Sequence, residues 1–223
     1  MRNAIILDEN TVMTIDNTGC VGEKDLDVVF APNSITAAFC LRTAILEQWA
    51  AGAMPKQIVV ANFTGDNAWE DYINGFQTIY DEIGEPLPPI SGSSESNFPS
   101  LQSALSVTVI GKKQFTNSHD NVDYYIIGKP LIGKAVLEQA DQVAKLREIY
   151  ECLQKGFIKA IWPCGSKGIQ HEVEQFTGHQ SAKFDLDGTA SAGPSTAIVV
   201  AVDRNQIDKF HSVVSAPITP VQI

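Results

Sequence analysis

The sequence has no excess of basic residues and no basic run. Its 16 Lys and Arg are outnumbered by 26 Asp and Glu, which gives a formal net charge of −10 and a pI near 4.8. A protein that binds DNA or RNA needs Lys and Arg gathered on one face to neutralise many phosphates. The composition therefore argues against a nucleic-acid partner.

The sequence also has no long apolar run and no close cysteine pair. The apolar stretch near the start, Ala4–Leu7, is far shorter than the roughly 7–15 apolar residues of a signal-peptide core or the about 20 of a membrane span. We therefore expect no membrane association and a cytoplasmic protein. The cysteines are Cys20, Cys40, Cys152 and Cys164. Because no two of them form a CxxC motif, we interpret them as reduced thiols that bind no zinc.

Several common catalytic motifs are missing from the sequence. No GxxxxGK[ST] phosphate-binding loop, no GxSxG elbow and no HExxH pair occurs. The spacing of the cysteines and histidines indicates no Cys/His pair either. Polar loops at the ends of apolar strands remain, which is where α/β sheets usually bind ligands.

What the sequence does contain is the composition of a folded protein. With 223 residues, 44% of them hydrophobic and 19% charged, the chain is long enough for one large or two small domains. Strand-like and helix-like segments alternate, which predicts an α/β (α+β) fold of two layered domains. The polar, unperiodic segment Lys112–Val122 is the best candidate linker, so we predict domains at residues 1–113 and 114–223.

Four segments carry the clearest predictions of secondary structure. A helix capped by Asn33 or Ser34 ends at Gly52, and a second helix begins near Asp66 with Trp69 in its apolar stripe. The run Gln57–Phe63 is almost continuously apolar and predicts a strand buried on both faces. The segment Lys134–Gln154 is amphipathic and predicts one long helix.

Two carboxylates stand out as possible metal ligands. Asp16 ends a predicted strand before the loop Asn17–Lys24, whose two glycines allow close approach of backbone N–H groups to phosphate oxygens. An ordinary acidic turn explains the same residues. Glu47 lies in an otherwise apolar helix, where it faces either a metal, a partner or solvent.

Two further loops are rich in small polar residues. Ser91–Asn97 combines hydroxyl side chains with a glycine, which suits contact with an anion but is also common in surface loops. Asp185–Ser195 contains two acids before a buried strand. These residues either bind a metal or simply turn the chain.

In the first half, these segments resemble the aminoimidazole ribonucleotide synthase superfamily, which includes thiamine-phosphate kinase, selenophosphate synthetase and the hydrogenase-maturation dehydratase. Val12–Asp16, then Val21–Lys24, is similar to the family's strand ending in Asp and its Gly-Val-Gly-Thr-Lys, with about three extra residues between them. Ile45–Glu47, then Gly52–Pro55, resembles the helix with an Asn-Asp pair that ends in Gly-Ala-Glu-Pro.

The resemblance continues in order along the rest of the chain. Ser91–Glu95 resembles the family's Gly-Gly-Glu/Asp-Thr loop, and Ala104–Lys112 resembles the strand that follows it. Ser191–Pro194, which leads into a buried strand, is similar to the Ser-Gly-Gly-Pro or Gly-Gly-Glu-Asp turn of the second domain. Each motif is degenerate, so the order of the segments carries the match.

The resemblance implies an ATP and Mg²⁺ site, two α/β domains and a homodimer formed through the sheet of the first domain. Asp16 and Glu47 would hold the metal, and Ser93, Ser94 and Glu95 would line the phosphate region. The predicted nucleotide-binding set is Asn3, Asp16, Lys24, Ser93, Ser94, Glu95 and Asn97. The substrate would be a small nucleoside-like or nucleotide-like molecule.

The sequence also departs from the family pattern. The family's Gly-rich N-terminal segment is missing, Asn3 stands about where the kinases carry an Asp pair, and Ser93 replaces an acid. Pro163–Gly168 replaces the Asp-Val-Ser-Asp-Gly-Gly turn. Either Glu95, Asp185 and Asp187 compensate for the lost acids, or catalysis has been lost.

Three functions remain open at this point. Shortened members such as the α-ribazole kinases of cobalamin salvage fit best, which predicts phosphorylation of α-ribazole to α-ribazole 5′-phosphate. The alternatives are an ATP-dependent ligase or synthase and a non-catalytic nucleotide-binding dimer.

Overall fold

The computed structural model describes residues 3–223, and the chain divides into two compact units, one ending at Phe115 and one spanning Thr116–Ile223. Each unit is a mixed α/β structure, as predicted. No helix in the described part of the chain is long and apolar enough to cross a membrane. All four cysteines are free thiols.

The first unit is built on a five-stranded sheet with the order β1-β2-β7-β5-β6. All its contacts are antiparallel except that between β5 and β6, which is parallel. Its strands are β1 (Ile5–Ile6), β2 (Thr11–Gly19), β5 (Ala53–Asn62), β6 (Ile90–Ser94) and β7 (Ala104–Lys113). Two short parallel strands, β3 (Val21–Gly22) and β4 (Val29–Phe30), lie outside this sheet.

Two helices cover one face of this sheet, α1 (Asn33–Ala50) and α2 (Trp69–Ile83). Both agree with the predicted helices, and α2 ends at Gly84, whose φ of 84° suits a left-handed cap. The predicted cap of α1 is wrong. No side chain at its own N-terminus caps the helix. Instead, the backbone N–H of Asn33 donates to the carboxylate of Glu23 at 2.9 Å.

Helix α1 is held against the sheet by a buried amide. The side-chain Nε2 of Gln48, which is fully buried, donates to the carbonyl oxygens of Val12 and Val109 at 3.1 and 2.8 Å. It also reaches the hydroxyl of Thr14, which in turn donates to the carbonyl oxygen of Ala44. This network fixes the position of the helix over β2 and β7.

The other face of the sheet remains open in the single chain, so the prediction that Gln57–Phe63 is buried on both faces is wrong. Val59 on β5 is 37% exposed and Ile15 on β2 is 46% exposed. Both residues pair in register with Thr108 of β7, so they form one row across the sheet. The run Gln57–Phe63 is almost continuously apolar because its residues alternate between the buried core, as Ile58 and Val60 do, and this exposed row, as Val59 does.

The second unit contains a four-stranded antiparallel sheet with the order β11-β8-β10-β9. Its strands are β8 (Val122–Ile127), β9 (Ile158–Pro163), β10 (Ile198–Asp203) and β11 (Ile218–Val221). Its helices are α3 (Ala135–Glu138), α4 (Leu146–Gln154), α5 (Ile169–Thr177) and α6 (Ile207–Val213). β10 is almost entirely buried at the centre of this sheet.

The single long helix predicted over Lys134–Gln154 is wrong. It is divided into α3, a 3-10 turn at Ala140–Gln142 and α4. Between them the backbone bonds to other parts of the unit, because Lys129 N–H donates to Gln142 O and Ala144 N–H donates to Thr196 O. Tertiary hydrogen bonds therefore replace the helical ones that the amphipathic pattern predicted.

Candidate functional site

In the first unit, the carboxyl ends of β5 and β6 are joined by one buried side chain. The amide Nδ2 of Asn62, which is 2% exposed, donates to the hydroxyl of Ser94 at 2.9 Å and to the carbonyl oxygen of Gly65 at 2.8 Å. Its Oδ1 accepts the backbone N–H of Thr64. Asn62 therefore fixes the loops that leave both strands.

The loop after β2 is held at the same end of the sheet as the carboxyl ends of β5 and β6. The ammonium group of Lys24 donates to the carbonyl oxygen of Ser100 at 2.7 Å. The carboxylate of Asp27 accepts hydrogen bonds from the backbone N–H and the hydroxyl of Ser103, each at 2.7 Å. Burial acts to raise the pKa of Asp27, but these hydrogen bonds hold it below its ordinary value. These contacts hold the loop after β2 against the segment that leads into β7, which follows the predicted loop Ser91–Asn97 in the chain.

The predicted phosphate loop is ordered by its own carboxylate. Glu95 donates its backbone N–H to Asn62 O at 2.7 Å, and its Oε1 accepts the N–H of Asn97 at 2.7 Å. Ser94 is half-buried, while Ser93 is exposed. The structure therefore brings Ser94, Glu95 and Asn97 together in one turn beside the end of β5.

The two predicted metal ligands lie in the layer where α1 packs on the sheet. Asp16 is half-buried and shares one side of β2 with Val12 and Thr14, which contact α1. Burial first, and then the charge of Asp16, raise the pKa of the Cys40 thiol well above its ordinary value, so Asp16 lies near Cys40.

Glu47 lies on the same side of α1 as Cys40. The two residues are seven positions apart in the helix, and that spacing places side chains on one helix face. Glu47 is only 1% exposed, so of the three alternatives given by the sequence, the one in which it faces solvent is wrong. Carboxylate oxygens are donors that suit Mg²⁺. Seven helical positions nevertheless separate Glu47 from Cys40 by about 10 Å along α1, so the proximity of Asp16 to Cys40 does not place Glu47 beside Asp16.

The remaining predicted contact, Asn3, is exposed and lies two residues before β1. β1 pairs with β2 through Ile5 and Met13, so Asn3 adjoins the sheet at β2. Over residues 3–223, no three His, Cys, Asp or Glu side chains are grouped closely enough to hold a metal without other ligands. An ion held by two carboxylates would therefore need water or phosphate oxygens as well.

Sequence reasoning missed an open cleft between β6 and the start of α2. Its volume is about 720 Å³. It is lined by Asp66, Asn67, Trp69, Glu70, Gly92 and Ser94. Trp69 was assigned to the apolar stripe of the helix, but it is half-buried and its ring lies over Gly92. The local signal was the pair of acids, Asp66 and Glu70, that flank a tryptophan at a helix start.

In the second unit, the turn Pro163–Gly168, where the sequence departs from the family pattern, contacts the segment Asp185–Ser195. Ala192 N–H donates to Gly165 O at 3.1 Å, and Gln170 N–H donates to Gly188 O at 2.8 Å. Asp187 accepts the hydroxyl and the N–H of Thr189, which lower the pKa of its carboxyl group. Asp185 and Asp187 are both exposed.

Comparison with known proteins finds solved structures that are similar to this chain, but no matching sequence family and no matching curated sequence. No protein-family profile matches the sequence, and no curated protein matches it at a significant level. The hydrogenase maturation protein HypE in complex with ATP is 14% identical with a TM-score of 0.62, covering 97% of this chain and 78% of HypE. AaThiL complexed with AMPPCP and TMP is 10% identical with a TM-score of 0.64, covering 98% of this chain and 82% of AaThiL.

A third solved structure is the thiamine-monophosphate kinase from Stenotrophomonas maltophilia K279a. It is 16% identical with a TM-score of 0.57, covering 99% of this chain and 88% of the kinase. At these identities the comparisons establish the fold. This chain has the fold of the aminoimidazole ribonucleotide synthase superfamily, to which HypE and ThiL belong.

Proposed function

We propose that this protein binds ATP with Mg²⁺ and transfers a phosphoryl group to a small nucleoside-like or nucleotide-like molecule. The first acceptor to test is α-ribazole, which would become α-ribazole 5′-phosphate. The observation that supports the proposal most directly is that hydrogen bonds of Lys24, Asp27 and Asn62 hold the loops after β2, β5 and β6 at one end of the first sheet. Structures of the same fold have been solved with ATP and with AMPPCP.

The nucleotide would lie along the edge of the first unit where the loops of β2, β5 and β6 meet. Lys24 uses its ammonium group to hold Ser100 through the carbonyl and hydroxyl oxygens. An ammonium has three N–H donors, so one is left for a phosphate oxygen. Ser93, Ser94, Glu95 and Asn97 would line the phosphate region, with Asn3 beside β2.

Asp16 and Glu47 are the residues that would hold Mg²⁺. When bound, the ion would neutralise charge on the transferring phosphoryl group. The contribution of the chain itself is positional: the Gln48 network fixes α1 and therefore Glu47, and β2 fixes Asp16.

We also propose that the protein acts in the cytoplasm as a homodimer formed through the open face of the first sheet. The row of Ile15, Thr108 and Val59 presents exposed apolar atoms on the sheet face opposite α1. Exposed apolar surface of this kind is typical of interaction sites. A second copy would bury the row against its own equivalent.

The test of this proposal is calorimetric titration of Mg²⁺-ATP into the wild type, Asp16→Asn and Glu9→Gln. Glu9 is exposed in the β1–β2 turn, at the other end of the sheet, so its variant controls for the loss of one negative charge. We expect Asp16→Asn to weaken binding about tenfold or more, and Glu9→Gln to leave it unchanged. Absence of binding by the wild type, or equal binding by Asp16→Asn, would rule out the proposed site.

The acceptor is tested separately, by measuring ADP release with α-ribazole and with a panel of nucleosides and ribonucleotides. Turnover with α-ribazole alone would identify the kinase reaction. Phosphate release that depends on an amide or carboxylate substrate would instead identify a ligase or synthase. Binding of ATP without turnover for any acceptor would show that catalysis has been lost.

This last outcome, a nucleotide-binding dimer without catalysis, is the second candidate. It is favoured by the Pro163–Gly168 turn, which carries Lys167 and no carboxylate where the family has acids. The acids proposed to compensate, Asp185 and Asp187, are exposed, and Asp187 is already engaged by Thr189.

A further inference from the structure

The strand β6 forms one outer edge of the five-stranded sheet. Its residues Ser91, Gly92 and Ser93 are exposed in the full chain. Proteins usually protect such an edge with lysine, proline or a bulge, because unpaired backbone groups there attract another strand. The strand Ile90–Ser94 contains none of these protections, and the prolines at 88 and 89 precede it.

The pairing with β5 shows which backbone groups of β6 face outwards. Ile58 N–H donates to Pro89 O, and Glu95 N–H donates to Asn62 O. In a parallel pair, the N–H and C=O groups of every second residue point to the neighbouring strand, and those of the residues between them point away from it. Residues 89, 91, 93 and 95 therefore bond towards β5, and the N–H and C=O groups of Gly92 and Ser94 face away from the sheet.

Gly92 and Ser94 are also the two β6 residues that line the 720 Å³ cleft. The opposite wall is the start of α2, with Trp69, Asp66 and Glu70. A groove between an edge strand and a helix is the arrangement by which domains bind an extended peptide as an added strand. The small side chains of β6 leave the edge accessible to another backbone.

The charge of the groove selects the chemistry of the peptide. Asp66 and Glu70 are both exposed at its rim, and no basic residue lines it. A lysine or arginine side chain in the bound strand would face these carboxylates, and its aliphatic part or guanidinium group would lie against the Trp69 ring. An acidic strand would be repelled.

We infer that the groove between β6 and α2 binds an extended basic segment of a partner protein as an additional strand. The backbone groups of Gly92 and Ser94 pair with that segment, and Asp66 and Glu70 contact its basic side chains. This inference goes beyond the proposed function, and because Ser94 also belongs to the proposed phosphate region, it is tested in the absence of ATP.

The test uses a short fluorescent peptide that alternates lysine with valine or threonine, titrated into the full chain by anisotropy. Two control peptides accompany it, one with glutamate in place of lysine and one N-methylated at consecutive residues, which blocks strand pairing through either edge of the peptide. We expect only the unmethylated basic peptide to bind. Binding should slow hydrogen exchange of the Gly92 and Ser94 amides.

A pair of charge-reversal variants locates the site. Asp66→Lys with Glu70→Lys should weaken the peptide at least about tenfold. The matched control, Asp81→Lys with Glu138→Lys, changes two exposed acids outside the groove and should leave affinity unchanged. Circular dichroism and thermal melting of both double variants confirm that they are folded.

Three results would overturn the inference. Equal binding of the N-methylated peptide would show attraction by charge without strand pairing. Equal loss of affinity in both double variants would show that net charge alone attracts the peptide. If the peptide does not bind and the Gly92 and Ser94 amides are instead protected on self-association, a second copy of the chain occupies the edge.

Discussion

The Nζ atom of Lys24 lies 2.7 Å from the backbone carbonyl oxygen of Ser100, although the two residues are 76 positions apart. This contact joins the loop after β2 to the segment that leads into β7. Together with the hydrogen bonds that Ser103 donates to Asp27, it holds the loop after β2 against the segment between β6 and β7. The position of Lys24 therefore depends on Ser100, which is too far away in the sequence for any local motif to contain both residues.

We predict that Lys24→Met lowers the free energy of unfolding by about 1 kcal/mol, because a charge-assisted hydrogen bond from a half-buried group is lost. It should also weaken ATP binding, since the loop near Ser100 loosens. Chemical denaturation measures the first effect and calorimetry the second. Lys113→Met is the control, because Lys113 is exposed at the end of β7. If both variants lose the same stability, the Lys24 contact contributes nothing specific.

The crossing of α1 and α2 gives a second prediction, at Gly75. A Cβ atom at this position would overlap the backbone carbonyl oxygen of Ser34, which cannot move as a side chain does. Gly75→Ala should therefore destabilise the protein by about 1–3 kcal/mol, even though alanine favours a helix by about 1 kcal/mol.

The control for this substitution is Gly19→Ala, because no atom lies within 4 Å of a Cβ placed there. Its stability should change by less than about 0.5 kcal/mol. Thermal melting of both variants provides the measurement. A stable Gly75→Ala would mean that the two helices separate without cost.

The third prediction concerns pH and His119. Its ring lies against Phe176 and Tyr124, with ring centroids 4.9 and 5.9 Å away. Although His119 stays exposed on its other side, its partial burial against these rings lowers its pKa below the ordinary value of 6.5, and the nearby Asp120 opposes the shift. The folded protein therefore binds this proton less readily than the unfolded chain.

The stability that depends on neutral His119 is present above the ordinary pKa and is lost as pH falls below it. Unfolding free energies measured from about pH 8 to about pH 5 should therefore decrease more steeply for the wild type than for His119→Phe. Parallel curves for the two proteins would refute this role of His119.

The fourth prediction tests the proposed dimer. Ile15→Lys places a charge in the centre of the exposed row on the first sheet, and burying that charge in an interface is costly. We expect sedimentation to show a change from twice the chain mass of 24.2 kDa to the mass of a single chain. Phe98→Lys, at a site that is 77% exposed outside the sheet, should leave the dimer intact. A monomeric wild type would contradict the proposal.

Local patterns were sufficient for the main helices of the first unit. The stop at Gly52, with φ of 74°, and the cap at Gly84 need left-handed backbone that glycine adopts readily. The spacing of apolar residues then sets the extent of α1 and α2. The cap of α1 was not predictable, because Glu23 reaches Asn33 from a separate loop.

The candidate site was predictable only in part. Asp16, Lys24 and Ser94 could be selected because polar residues at strand ends are typical of α/β sites. Trp69 could not be selected from the sequence. A tryptophan in the apolar stripe of a helix predicts packing in the core, and only the structure shows which residue it covers. That residue, Gly92, belongs to a strand that follows α2 in the chain.

The sequence by itself determined the alternation of strands and helices, the ends of α1 and α2, and the order of segments that resembles the superfamily. These features depend on neighbouring residues and on the periods of helices and strands. Tertiary structure alone decided that Lys134–Gln154 is broken, that β6 forms an edge and that Val59 is exposed. Those outcomes depend on hydrogen bonds and packing between residues far apart in the chain, which local patterns do not encode.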